Sequence, residues 1–266
     1  MKLFLSDETI DGFAAKESLS TSEYEKAFGR FGKPEVVYED EHLLFINKPS
    51  GILSQKANPS DLSANEWLIG YMLDKKDTDA KKLSLFKPSV CNRLDRNTAG
   101  ILIFAKSLYG ANVINPLIKN RDLHKYYLTV VNGKLDKDIH DISYLKKDSD
   151  KNMVTISKEA KEGYTKIETF FCPMEYNKKS NLTLVKVLLV TGKSHQIRST
   201  LNHLGYPIVG ENKYNSSNSE VKSLGIKGQV LFAYRLEFPK LDDYEALSGK
   251  VLEIEKPEII SKLMMG

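Results

Sequence analysis

Apolar positions in this chain fall in short, dense runs divided by charged turns, and the period of those runs changes along its length. Val36–Tyr38 and Leu43–Asn47 predict two short strands around the turn Glu39-Asp40-Glu41, the second ended by Lys48-Pro49-Ser50-Gly51. From Asn65 to Leu73 the spacing becomes helical, with Trp67, Leu68, Tyr71 and Met72 on neighbouring turns. Gly100–Ala105 is an unbroken apolar run of the length of a buried strand, and Tyr109–Ile118 predicts a helix with Pro116 as its candidate break. Lys125–Val131 is rich in β-formers and runs into Asn132-Gly133, a hairpin signal. Tyr164–Phe171 and Leu182–Val190 predict further strands, the second alternating poorly as expected of burial on both faces. After Thr191-Gly192-Lys193, Ser194 is placed to cap a helix running to Leu204, with Gly205 as its stop. Strands and helices mix irregularly, which predicts an α+β fold on a largely antiparallel sheet rather than a regular βαβ winding.

Residues 1–34 have another texture. A strand-like piece, Lys2–Leu5, leads into a segment rich in Ser, Glu and Lys and then into Gly29-Arg30-Phe31-Gly32-Lys33-Pro34, which reads as a linker. Residues 35–266 form the main domain in this reading.

At 266 residues the chain is long enough to build a core without covalent staples. A net charge of +4 permits a nucleic-acid partner without requiring one. Two cysteines, Cys91 and Cys172, make neither a disulfide framework nor a metal-ligand spacing, which argues for the reducing cytoplasm. The apolar run at Met1–Leu5 stops at Ser6, too short for a signal peptide, and no run approaches the ~20 residues of a membrane span. No membrane partner is expected.

Arginine use is what draws attention to one segment. The chain has 33 Lys and 6 Arg, so lysine is its default cation, yet Arg93 and Arg96 flank Asp95 in Cys91-Asn92-Arg93-Leu94-Asp95-Arg96-Asn97-Thr98-Ala99-Gly100. Arginine offers a planar, permanently charged fork that grips carboxylates and phosphates in two places. Asp95 is read either as a structural ion pair holding loop to strand, or as a carboxylate kept ionised by nearby cations and available as nucleophile or base.

Two other segments carry chemistry. Thr191-Gly192-Lys193-Ser194-His195-Gln196-Ile197-Arg198 puts Lys193, His195 and Arg198 at a helix start, an arrangement suited to an anion. A packed histidine is the plainer reading of His195, and Ser194 lacks the surroundings of a nucleophile elbow. In His124-Lys125-Tyr126-Tyr127 the two tyrosines face opposite sides of a strand. One can pack in a core while the other meets a cleft, where an aromatic among cations stacks on bases.

Together these segments resemble one family. Asn92–Gly100 resembles the His-Arg-Leu-Asp-x-x-Thr-Ser-Gly motif of RluA-family pseudouridine synthases. Gly192–Arg198, with Leu204-Gly205-Tyr206-Pro207-Ile208 behind it, resembles that family's Gly-Arg-Thr-His-Gln-Ile-Arg segment. Lys125-Tyr126-Tyr127 matches its Lys-x-Tyr strand, Asn47–Gly51 its Lys-Pro-x-Gly turn, and Ala233-Tyr234-Arg235-Leu236 its late strand. The likeness runs from about Val36 to Phe238 with every motif in family order. The related RsuA and TruB groups share the Leu-Asp core, but the His-Gln-Ile-Arg segment favours RluA.

The resemblance implies a pseudouridine synthase fold, a long mixed, mainly antiparallel sheet in two lobes with RNA in the cleft between them, over 35–266. It implies no metal or organic cofactor. Uridine is expected to be flipped into the site, cut at its glycosidic bond and rejoined through C5. Asp95 is implied as the essential carboxylate, acting at the sugar C1′ or by abstracting a sugar proton. Tyr127 is implied to stack on the uracil, and Arg198 to pair with Asp95. Arg93, Arg96, Lys48, Lys193, His195 and Gln196 are expected to bind RNA or shape the site. Departures from the pattern are Asn92 for His, Ala99 for Ser, Lys193 for Arg and Thr200 where His is common. Lys2–Glu8 resembles the last strand of an S4 RNA-binding domain, so the chain is expected to start at the tail of such a domain.

The expected partner is RNA, ribosomal RNA of the large subunit first and tRNA second, acted on by a monomer. Two alternatives stand beside it. A non-catalytic RNA-binding or assembly factor would have no use for an acceptor-only carboxylate facing a phosphate backbone. A hydrolase using Asp95 and His195 lacks a defensible nucleophile–base spacing.

Overall fold

The computed structural model describes residues 20–148, 153–214, 226 and 228–265. Eleven strands form one sheet in the order β1-β2-β4-β10-β5-β9-β8-β6-β7, with β3 added to β4 and β11 to β10. The strands are β1 Val36–Glu39, β2 Leu43–Lys48, β3 Ser89–Val90, β4 Ala99–Ala105, β5 His124–Asn132 and β6 Ile139–Asp148. They continue as β7 Met153–Ser157, β8 Thr165–Asn177, β9 Leu182–Leu189, β10 Leu231–Glu237 and β11 Val251–Glu253. Helices are α1 Ser22–Phe31, α2 Ala64–Asp74, α3 Ala80–Leu85, α4 Leu108–Asn120, α5 Gln196–His203 and α6 Glu258–Met265. The α+β class and the mixed, mainly antiparallel sheet match the sequence reading.

Every strand pair is antiparallel except β4–β10, which run parallel through just Ala99–Phe232 and Gly100–Ala233. This seam joins the β1–β4 half of the sheet to the β5–β10 half. Gly100 makes it possible. It sits at φ +113, and a Cβ there would lie 2.2 Å from the Ala233 carbonyl oxygen, so no other residue fits without moving β10. One face of the sheet carries a core built on Leu102, Phe104, Tyr127, Val185 and Val187 under Trp67 and Leu68 of α2. A second core contains Phe45, Ile101, Ile103, Leu128 and Leu184, with Leu263 and Met264 of α6.

Four sequence expectations are corrected. The polar segment and the start of the linker before Glu35 form α1, whose Tyr24 and Ala27 are buried in the first core. Trp67 Nε1 donates to the Gly32 carbonyl at 2.6 Å, tying the helix end to α2. Among the described residues, then, the 34/35 boundary is no structural break. The expected S4-like tail at Lys2–Glu8 lies outside the described residues.

Asn132-Gly133 does not form a hairpin with the next strand. β5 pairs with β9 and β10, and the Gly133 N–H donates across to Asn181 at the turn before β9. Pro116 does not break α4. The helix runs on to Asn120, and the carbonyl that Pro116 deprives of a donor belongs to Asn112, exposed and free to meet water. Finally, the residue capping α5 is His195 in the left-handed region (φ 54), not Ser194.

Candidate active site

Asp95 lies in the turn that feeds β4, closed by the Thr98 N–H donating to the Asp95 carbonyl at 3.0 Å. What holds this turn is mostly backbone. The Gly51 N–H donates to the Arg96 carbonyl at 2.8 Å, and Ser50 Oγ to the Asn97 carbonyl at 3.0 Å. Ser54 Oγ donates to the Leu94 carbonyl at 2.8 Å and accepts from the Leu94 N–H at 2.9 Å, standing in for a missing strand partner. Lys48 is fully buried and points its ammonium at three carbonyls, Pro49 at 2.9 Å, Ile52 at 2.8 Å and Arg96 at 3.3 Å. Burial pulls its pKa down to about 7, against the opposing pull of the Asp95 charge. Lys48 therefore shapes the site from behind, joining the Lys48–Ile52 turn to the Asp95 loop.

Asn92, where the resembling family has His, uses its Oδ1 to accept from the Ile103 N–H at 2.8 Å and so secures β4. An uncharged amide suits that place between strand groups.

The opposite wall is ionic. Arg198, only 7% exposed, donates from Nη1 to Asp95 Oδ2 at 2.7 Å. Its other edge is gripped by Glu211 through Nε–Oε2 at 2.6 Å and Nη2–Oε1 at 2.8 Å. Burial opposes the guanidinium charge, but Glu211 and then Asp95 outweigh it and raise the arginine's pKa. Burial likewise favours protonating Glu211, 3% exposed, and Arg198 more than reverses this, leaving its pKa below the usual carboxylate value. The result is an arginine aimed by one carboxylate at another.

Glu211 was not found from the sequence. It gains its place because Gly210, at φ +78, lets its segment lie against Gly228; a Cβ on Gly210 would stand 2.3 Å from the Gly228 carbonyl oxygen. The only local signal was a charged residue directly after the apolar pair Ile208-Val209 and a glycine.

His195 has Nε2 3.9 Å from Asp95 Oδ2 and Nδ1 2.8 Å from the Tyr214 hydroxyl. Burial lowers its pKa, Asp95 resists, and Arg198 and Lys213 add to the lowering. Gln196 is committed to structure. Its Oε1 accepts from Thr191 Oγ1 and the Lys193 N–H, and its Nε2 donates to the Glu168 carbonyl and Thr169 Oγ1. That full set of bonds starts α5 without a side-chain cap at Ser194.

Tyr127 is buried on β5, and its pKa is raised by that burial and then by the Asp95 charge. Ala233 stands between it and Gly100 across three adjacent strands. Tyr126 turns the other way, its hydroxyl donating to Glu237 at 3.0 Å.

All the expected site residues except Lys48 line one cavity of about 780 Å³. Its wall carries Lys56, Arg93, Arg96, Lys125, Lys147, Lys193, Arg198 and Lys213, against one carboxylate, Asp95. Arg198, and not the flanking arginines, pairs with Asp95, as the resemblance implies. Arg93 and Arg96 are exposed, and the cations within ion-pair distance of Asp95 are Arg198 and, if protonated, His195.

Comparison with known proteins adds a family to this geometry. A family model described as RNA pseudouridylate synthase matches residues 42–203. An uncharacterized RNA pseudouridine synthase of Mycoplasma genitalium is 32% identical over 210 residues, 79% of this chain and 65% of its own. A dual-specificity RNA pseudouridine synthase, RluA, of Vibrio cholerae is 28% identical over 186 residues, 68% of each chain. The chain thus spans about two thirds of the length of these curated relatives. A human RNA pseudouridylate synthase domain-containing protein shares the fold, with a TM-score of 0.63 at 18% identity over 92% of this chain and 96% of its own.

Proposed function

The chain belongs to the RNA pseudouridylate synthase family, of the RluA type, and from that premise we propose that it isomerises uridine to pseudouridine in RNA with Asp95 as the essential carboxylate. The observation that carries this reading is a single carboxylate, paired with buried Arg198 at 2.7 Å, in a cavity whose other charged lining residues, among those described, are cations and which Tyr127 also lines. Cations draw in the phosphate backbone without reading sequence. Among the described residues, Asp95 is then the only anionic group in the wall able to act on a flipped nucleoside.

In the proposed reaction the N1–C1′ bond breaks, uracil turns in place, and C5 bonds to C1′. The C5 proton leaves and N1 gains one, so the product is an isomer of the substrate. Asp95 either adds to C1′ or removes a sugar proton. Either route needs a carboxylate rather than an acid, and Arg198 offers it a hydrogen bond without competing for the same proton. Tyr127 forms the buried floor on which the uracil stacks. Arg93, Arg96 and Lys193, all exposed, contact the RNA backbone, while Lys48 and Gln196 act by holding the walls. Large-subunit ribosomal RNA is the proposed target.

Release of tritium from RNA labelled at uridine C5 tests the reading. Wild-type protein is expected to release label, and Asp95→Asn, which keeps size and loses charge, to lose at least three orders of magnitude in rate. Equal release by both would remove Asp95 from the chemistry. No release by either on total cellular RNA would favour a binding protein instead.

A further inference from the structure

We infer that Lys125 builds a phosphate subsite in the cavity wall, one that takes a backbone phosphate of the RNA strand beside the flipped uridine. The inference deepens the proposed function and rests on that reading of the cavity. β5 alternates, so Lys125 and Tyr127 share a side, and both line the cavity that contains Asp95. Lys125 is 7% exposed, yet among the described residues its ammonium has no hydrogen bond and no ion pair. Other buried lysines here are satisfied. Lys106 reaches Glu39 and Asp77 at 2.9 Å each, and Lys48 has its three carbonyls.

The charge that does act on Lys125 is another cation, Arg121, just past the end of α4; with burial, it lowers the lysine's pKa. A largely buried lysine beside a second cation, with no acid in hydrogen-bond or ion-pair reach among the described residues, is costly, and an anion entering the cavity relieves that cost. In RNA that anion is phosphate.

Lys125 lies two residues along β5 from Tyr127, about 7 Å at the rise of a strand, which sets it beside the uracil floor rather than on it. Along β10 the sheet is closed beside Lys125, since Leu236 pairs with Lys125 on one side and with Leu252 of β11 on the other. Cys91 and Ile118 complete the wall there. Apolar walls around a cation strengthen its hold on an anion by excluding water.

The test is binding of uridine 3′,5′-bisphosphate, uridine and inorganic phosphate to the full chain, followed by calorimetry, for wild type, Lys125→Met and Lys125→Arg. Wild type is expected to bind the bisphosphate at least tenfold more tightly than either other probe. Lys125→Met should lose most of that tenfold, Lys125→Arg should keep part of it, and uridine should bind all three alike. Addition of the bisphosphate should raise the Lys125 ammonium pKa, read by NMR. Lys125→Met should melt no lower than wild type, because it removes a buried charge and keeps the stem. Equal bisphosphate binding by wild type and Lys125→Met would overturn the subsite. So would inorganic phosphate binding as tightly as the bisphosphate, or the bisphosphate binding no better than uridine. The two readings fail separately: a chain that releases no tritium yet binds the bisphosphate through Lys125 loses the reaction alone, and an active chain indifferent to Lys125→Met loses the subsite alone.

Discussion

The loop that carries Asp95 and the helix start that carries Arg198 meet at one carboxylate, but different forces hold them. The loop is fixed by hydrogen bonds to its own main chain, from Gly51, Ser50, Ser54 and Lys48. On the helix side Gln196 holds the backbone, but the arginine itself is fixed by charge, with Glu211 gripping it from behind. Main-chain anchoring depends little on which side chains the loop displays, and Asn92, which departs from the family pattern, keeps an acceptor for the Ile103 N–H. Ionic anchoring depends on both partners at once, since loss of one leaves the other buried and unpaired.

The largest expected effect tests the ionic side. Glu211→Gln should destabilise the protein by about 3 kcal/mol, the scale for breaking a buried pair, and reduce tritium release at least tenfold as Arg198 loses its aim. Urea melts and the labelled-RNA assay measure the two separately. A smaller effect is expected on the other side: Ser54→Ala removes a donor and an acceptor for Leu94 and should cost about 1–2 kcal/mol, with rates down severalfold. If Ser54→Ala proves the more damaging, the contrast is wrong.

The smallest effect is on pH dependence. The native pKa of Glu211 is depressed, so the stability it supplies is complete above its ordinary value of 4.5 and is lost as pH falls through the lower native value. The advantage of wild type over Glu211→Gln should therefore shrink in acid, whereas the gap between wild type and Ser54→Ala should stay level. Melting curves of the three proteins from neutral pH downward give the answer.

Legibility in the sequence followed the same division. Strands with dense apolar runs, such as Leu43–Lys48 and Ala99–Ala105, were readable because burial sets their pattern. The Asp95–Arg198 partnership, across 103 residues, came only from likeness to a family, since no local spacing encodes it. α1 hides in the sequence because its Ser, Glu and Lys residues give it the texture of a polar segment; Tyr24, Ala27, Phe28 and Phe31 carry a helical stripe beneath them. The role of Glu211 is invisible in the sequence for a physical reason, since it arises where separate segments cross, Gly210 against Gly228.

The 103-residue span between Asp95 and Arg198 also sets a clock. At roughly 5–20 residues per second of synthesis, the carboxylate leaves the ribosome about 5–20 s before its arginine, and Glu211 and β10 come later still. Through that interval the growing chain exposes its cations but has no assembled site. It can touch RNA, but by the proposed mechanism it cannot modify it, so activity begins only once the last third of the chain has been made.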